Sequence, residues 1–120
     1  MQAVSTPPNE IRVASDRATL TLGWPDREPA MLSAEFLRVL SPSAEVRGHS
    51  PADRKTMFGK RSVTIANITP VGNYAVRILF SDGHDTGIYT WTYLRELADE
   101  REARWEAYLG ELEEKGLSRD

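Results

Sequence analysis

Apolar and polar residues alternate over two short runs near the start of the chain, Ile11 and Val13 in EIRVA, then Leu20, Leu22 and Trp24 in TLTLGW. A period of two buries one face of a strand. Ser15-Asp16-Arg17 supplies a turn between the runs, so an antiparallel hairpin is predicted. Pro25-Asp26-Arg27 is a second turn, after which Ala30 and Leu32 share one face of a third strand. The period then changes. Ser33 is placed to cap a short helix over 34–40, with Leu32 and Leu37 as the hydrophobic staple pair and Phe36, Leu37 and Leu40 toward the core. Pro42 ends that helix, and over 41–60 the pattern is lost, leaving Val46, Met57 and Phe58 as isolated apolar residues. A patternless connection of this length inside a compact domain is usually functional or mobile, and mobility is the expectation here.

Order resumes at Ser62. Val63, Ile65 and Ile68 predict a strand with an irregularity near Asn67, and Pro70-Val71-Gly72-Asn73 a turn. Tyr74, Val76, Ile78 and Phe80 alternate with Ala75, Arg77 and Leu79. The second set is also partly apolar, which marks a central strand buried on both faces. Asp82-Gly83 reads as a tight hairpin turn, with Ile88 on the returning strand. Thr90 caps a helix opening at Trp91, and Leu94, Leu97, Ala98, Trp105, Tyr108, Leu109 and Leu112 recur at spacings of three, four and seven until Gly116 stops it. Over 91–115 this helix holds eight acidic and four basic residues. At 1.5 Å per residue it would be about 37 Å long, more than a domain of this size can cover. Two readings of its distal half follow: it folds back on the strands, or Trp105 and Tyr108 form a self-association or partner-binding face.

The predicted fold class is α+β, a small antiparallel β-sheet domain with a short helix and a long C-terminal helix. The organisation read from the pattern is a disordered lead-in over 1–9, one domain over 10–98 with a mobile loop at 41–61, and a helical extension and tail over 99–120. With 120 residues there is room for one modest core. Net charge is −3, which gives no overall bias toward nucleic acid. The chain has no cysteine, which excludes disulfides, thiolate metal sites and a thiol nucleophile in it. No apolar run approaches the roughly 18 residues of a membrane span, and the first ten residues lack the features of a signal peptide. A cytoplasmic protein without membrane attachment is expected.

Catalytic signatures are thin. There is no phosphate-binding loop, nucleophile elbow or dinucleotide fingerprint, and the histidines are two, His49 and His84. Asp82 and Asp85 flank His84, but an Asp-Gly hairpin accounts for Asp82 without chemistry. Over 47–61 the loop carries Arg47, Arg54, Lys55, Lys60 and Arg61 around Phe58, against the single acid Asp53. Such a stretch is either a solvated charged loop or a contact for an acidic or phosphate-bearing partner. Nothing in it specifies bases, and nucleic acid is not expected.

The segments Leu-Ser-Ala-Glu-Phe-Leu-Arg (32–38), Val-Gly-Asn-Tyr (71–74), Phe-Ser-Asp-Gly-His (80–84) and Thr-Gly-Ile-Tyr-Thr-Trp (86–91), with Leu94-Arg95, resemble the family named for the N-terminal domain of gamma-butyrobetaine hydroxylase. The resemblance spans about 11–97. It implies a small α+β domain of unknown function that occurs alone, fused to iron–sulfur carrier ATPases, or ahead of an oxygenase domain. In many members, the resemblance further implies, a Cys-Pro-Cys-x-x-Cys run after the short helix holds zinc together with the histidine of the Asp-Gly-His turn. Here that run aligns with Ser41-Pro42-Ser43-Ala44-Glu45-Val46, so Ser41, Ser43 and Val46 stand where thiolates would, and His84 alone is kept.

Serine hydroxyls are poor zinc ligands, so no metal and no other cofactor is expected. A tetrahedral site would need replacements from His49, Glu45, Asp82 or Asp85, and the alternative for His84 is a turn histidine that bonds nearby groups. The reading is a non-enzymatic interaction or accessory module, linked by resemblance to iron–sulfur or oxidoreductase systems. Its docking surface would draw on His84, Asp82, Arg47, Arg54, Lys55, Lys60, Arg61, Trp105 and Tyr108. An unidentified protein is the expected partner, with self-association through the C-terminal helix open. The competing reading is a metal-binding accessory domain with a degenerate site around His84.

Overall fold

A computed structural model of the chain describes residues 6–43 and 56–120. Strand β1 (Glu10–Val13) pairs antiparallel with β2 (Thr19–Trp24), which pairs with β3 (Arg27–Ser33). The inner face of this sheet is the alternating set that the pattern predicts: Leu20 lies opposite Leu32 and Leu22 opposite Ala30, all four buried. Residues ahead of β1 also engage it. The Trp24 indole N–H donates to the Thr6 carbonyl at 3.1 Å and the Asn9 N–H to the Gly23 carbonyl at 2.8 Å, so 6–9 lie along β2.

Helix α1 (Ala34–Val39) follows without a linker. Ser33 caps it as expected, its hydroxyl accepting from the Phe36 N–H at 3.0 Å. All six helical residues are buried, including Glu35 and Arg38. A second sheet has the order β4 (Ile65–Val71), β5 (Ala75–Phe80), β6 (Ile88–Thr90), with β5 in the centre as predicted. The α+β class holds, and the antiparallel strands of the described residues form two three-stranded sheets. They are joined through Arg17, which sits at φ 61° in the β1–β2 turn. Its carbonyl accepts from the Ile65 N–H, and its guanidinium donates to the carbonyls of Ile65 and Ala66 at 2.6 and 2.7 Å.

Several boundaries differ from the pattern. The strand expected from Ser62 starts at Ile65 and runs through Pro70 to Val71, so the turn falls later. Pro70 is tolerated because β4 is an edge strand and can leave one N–H position empty. The irregularity expected near Asn67 is present as a register shift between Ile65 and Asn67. Tyr74 therefore lies in the turn, 52% exposed, rather than in the strand. The tight Asp-Gly hairpin is replaced by a loop over 81–87. Gly83 does take φ +91°, but the Phe80 N–H returns to the His84 carbonyl and the last paired residues are Arg77 and Ile88.

The long helix is likewise divided. Helix α2 (Trp91–Asp99), capped by Thr90 as predicted, is followed by α3 (Arg101–Lys115), with Glu100 at φ −111° and ψ 17° between them. The hydrogen bonds from Glu100 N–H to Glu96 and from Arg104 N–H to Glu100 continue on either side, so the break is a one-residue bend. It brings the distal half back onto the domain. Tyr108 and Leu112 are buried with Val39 in a second small cluster, and the Trp105 ring packs 6.3 Å from Phe36. The overhang considered from the length is therefore not formed: the distal half folds back and packs on Phe36 and Val39 of α1. Gly116 ends α3 in the left-handed region at φ 66°, as predicted. No helix among the described residues is long and apolar enough to cross a membrane.

Gly110 is exposed in the middle of α3, and a Cβ there would meet nothing within 4 Å. Gly110→Ala is expected to raise stability by about 0.5–1 kcal/mol, the difference in helix propensity, seen as a higher urea midpoint at unchanged m-value. An unchanged midpoint would show that α3 unfolds apart from the rest.

Candidate functional site

The C-terminal end of α1 meets the 81–87 loop in a buried polar corner. Four carbonyls at a helix end lack intrahelical partners, and here side chains from later elements reach them: the Tyr89 hydroxyl donates to Leu37 O and the Tyr93 hydroxyl to Leu40 O. The chain then turns, and Ser41, 1% exposed, places its Oγ 2.9 Å from His84 Nε2. The Ser43 N–H donates to the same Oγ at 3.2 Å, and Ser43 Oγ lies 2.7 Å from Thr86 Oγ1. Gly87 completes the corner because a Cβ there would stand 2.5 Å from Ser41 Oγ. The two serines and the histidine, far apart in sequence, are thus one cluster.

Asp82 anchors the other side of the loop. One carboxylate oxygen accepts from the His84 backbone N–H at 3.1 Å, and the other from Arg38 Nε at 2.8 Å and Lys60 Nζ at 2.7 Å. Partial burial works against the charged form. The hydrogen bonds from Lys60, the His84 N–H and Arg38 outweigh it and hold the carboxyl at about 2. Arg38 is itself buried, and its Nη1 has no hydrogen-bond partner among the described residues.

This donor set does not suit zinc. The corner offers three hydroxyls and one imidazole where zinc takes thiolate, imidazole or carboxylate, and the Asp82 carboxylate is committed to cations. No group of three or more His, Asp or Glu side chains among the described residues could hold a metal ion. A Ser–His pair at 2.9 Å also has the spacing of a nucleophile and its base. Two features set it apart from such a pair. The Ser41 hydroxyl is closed off from any substrate in this conformation, and Asp82 bonds the backbone of His84 rather than orienting its ring. What the corner does in this conformation is clasp the end of α1 to the loop.

The remaining residues singled out in the sequence separate. Val46, Arg47, Arg54 and Lys55, with Glu45 and His49, lie outside the described residues. Lys60 joins the Asp82 network, while Arg61 pairs with Asp120. Trp105 is half-buried and Tyr108 is buried with its hydroxyl donating to Met57 O at 2.8 Å, so both serve packing in this conformation. Burial, and then the negative charge of Glu35, push the Tyr108 phenol up to about 12. A larger cavity of about 430 Å³, lined by Thr19, Met31, Ser33, Phe36, Arg101, Glu102 and Trp105, lies elsewhere and none of Ser41, Ser43, Asp82 or His84 lines it. Sequence reasoning missed Arg38, Thr86 and Gly87. The signal for Arg38 was available, since Phe36, Leu37, Val39 and Leu40 leave a short helix no polar face.

The sequence profile described as gamma-butyrobetaine hydroxylase-like, N-terminal, matches residues 11–95, more than half of the chain. The chain belongs to this family. A structure solved by solution NMR is 44% identical with a TM-score of 0.84, covering 95% of this chain and 90% of that one. A second NMR structure is 40% identical with a TM-score of 0.80, covering 99% and 90%. A crystal structure of a protein of unknown function from Acidithiobacillus ferrooxidans, assigned to the domain-of-unknown-function 971 family, is 39% identical with a TM-score of 0.64, covering 78% and 98%. No functionally curated protein matches the chain. Helix α3 and the tail lie beyond the matched 11–95, yet the two NMR structures overlay nearly all of the chain.

The depressed Asp82 carboxyl makes a pH prediction. Its folded value, about 2, lies below the ordinary aspartate value of 3.8, so its contribution is present above pH 4 and is lost as pH falls toward 2. Solvent reaches part of the carboxylate, so the loss is on the order of 1 kcal/mol. Urea unfolding at pH 5, 4, 3 and 2 should show the gap between the protein and its Asp82→Asn variant narrowing through that window. A constant gap would remove Asp82 as the titrating group.

Proposed function

We propose that this domain is a metal-free protein-interaction module with an accessory rather than catalytic role, working in the cytoplasm. The observation that carries this reading is the mounting of Phe58. Its side chain is 55% exposed, while the backbone around it is tied down on both sides. Met57 O accepts from Tyr108, the Gly59 N–H donates to Ser118 O, and Lys60 is held on Asp82. A rigidly presented aromatic beside basic residues is the kind of anchor that concentrates binding energy at an interface. Lys60 and Arg61 stand next to it, and Arg47, Arg54 and Lys55 belong to the same connection. The exposed ring suits a protein partner that offers it an apolar pocket. The family resemblance directs the search to iron–sulfur and oxidoreductase systems. The hydroxyl-lined corner supports the metal-free part of the reading; the competing one, a metal-binding accessory domain centred on His84, draws on the same corner.

The test pairs the full chain with its Phe58→Ser variant in affinity capture, with thermal denaturation of both. The expected result is a captured protein reduced at least tenfold by Phe58→Ser at unchanged Tm. Equal capture by both would dismiss Phe58 as the anchor, and no specific capture would dismiss the module. Elemental analysis of untagged protein decides the metal question: the expected zinc content is well below stoichiometric. Stoichiometric zinc lost in His84→Ala would establish the competing reading.

A further inference from the structure

Glu35 is a carboxylate on a helix buried on every side, 5% exposed, and a charge so placed needs a cation. The cation comes from the far end of the chain. Arg119 Nε and Nη2 donate to Glu35 Oε2 and Oε1 at 2.9 and 2.7 Å, a two-pronged contact that only a guanidinium makes. The same guanidinium lies 5.1 Å from the centre of a Trp105 ring. Main-chain bonds run alongside, from the Gly59 N–H to Ser118 O at 2.9 Å and from the Arg61 N–H to Arg119 O at 3.0 Å. The Arg61 guanidinium then pairs with the Asp120 carboxylate.

We infer that this slot, formed by Glu35, Trp105 and the 59–61 segment, is a recognition site for an extended peptide bearing arginine followed by an acid, and that residues 118–120 are its resident ligand. The inference rests on the interaction-module reading and names the chemistry of its partner. Each part of the slot reads one feature. Glu35 and Trp105 read the guanidinium, the Gly59 and Arg61 amides read backbone carbonyls, and the Arg61 side chain reads the acid. The resident segment is built to exchange. Leu117 is packed in the second apolar cluster, but beyond it Ser118 and Asp120 are exposed and Arg119 is partly so. Their hold consists of ion pairs, main-chain hydrogen bonds and the contact of Arg119 with the Trp105 ring. An emptied slot leaves the Glu35 carboxylate without its cation, and a second arginine can restore the same two-pronged contact. A tethered segment competes at a high effective concentration, so an outside peptide gains access chiefly when the resident one is weakened.

The experiment uses the full-length Arg119→Ala variant and follows the Gly59 and Arg61 amides and the Trp105 indole by NMR. The probes are the blocked peptides Leu-Ser-Arg-Asp and Leu-Ser-Lys-Asp. The arginine peptide is expected to give saturable shifts at all three positions, at least tenfold tighter than the lysine peptide, and to need at least tenfold more peptide with the unsubstituted protein. No shifts in folded Arg119→Ala, or equal response to both peptides, would overturn the proposal. Should Arg119→Ala not fold, Arg119→Lys keeps a cation against Glu35, and the arginine peptide must then displace that lysine with the same shifts. Light scattering of the unsubstituted protein separates the sources. A monomer that binds the peptide is expected and assigns the slot to a segment of another protein, whereas a dimer broken by the peptide would overturn that source in favour of the tail of a second copy. Failure of the peptide to bind leaves the Phe58 reading to its own capture experiment, so the two fall separately.

Discussion

Helix α1 is six residues long and buried on every side, yet it carries both a carboxylate and a guanidinium. Charges in that position need opposite partners, and Glu35 and Arg38 each have one, with Arg38 Nη1 left unbonded among the described residues. That constraint organises the molecule. Arg38 draws in Asp82 and with it the 81–87 loop, while Glu35 draws in Arg119 and with it the end of the chain. The open carbonyls at the helix end take the hydroxyls of Tyr89 and Tyr93, which fixes where β6 and α2 pass. A helix too short to be stable by itself is thereby held by four separate parts of the chain.

The two charged ends of α1 make two different corners. At the Arg38 end, the hydroxyls of Ser41, Ser43 and Thr86 and the ring of His84 close a cluster in which each group is used to hold segments together. Such a cluster stabilises one geometry because a buried hydroxyl without a partner is costly. At the Glu35 end, the contacts are made by a partly exposed arginine on a segment that follows the left-handed stop at Gly116. One corner is built to stay closed and the other can open. The 56–61 segment connects them, since Lys60 reaches Asp82 while Gly59 and Arg61 bond the tail. Phe58, exposed, immediately precedes these contacts.

Much of the fold was legible from local rules. The three caps at Ser33, Thr90 and Gly116 are where the residue types place them, because a cap depends only on a side chain or a glycine and the backbone a few residues away. The first three strands and the central strand β5 follow from alternation, which needs only a core on one side. The bend at Glu100 was not legible. Leu94 and Trp105, like Leu97 and Tyr108, are eleven residues apart, which is close to three helical turns. A straight helix and a bent one therefore carry the same stripe. The break shows only when α1 is present for Trp105 and Tyr108 to pack against. The loop at 81–87 was misread as a tight turn for a similar reason: Asp82 is drawn to Arg38 and Lys60, contacts with residues 44 and 22 positions away.

The site divides in the same way. The α+β class, the family and the absence of thiolate ligands could be read from the chain alone, because these rest on residue types and short spacings. Only the tertiary structure decided that Ser41 and Ser43 meet His84 in a closed cluster, that Asp82 serves cations, and that Arg119 neutralises Glu35 across 84 positions. Long-range polar pairing leaves no periodicity in a sequence. A buried charge states that a partner must exist, and the fold alone chooses which residue it is.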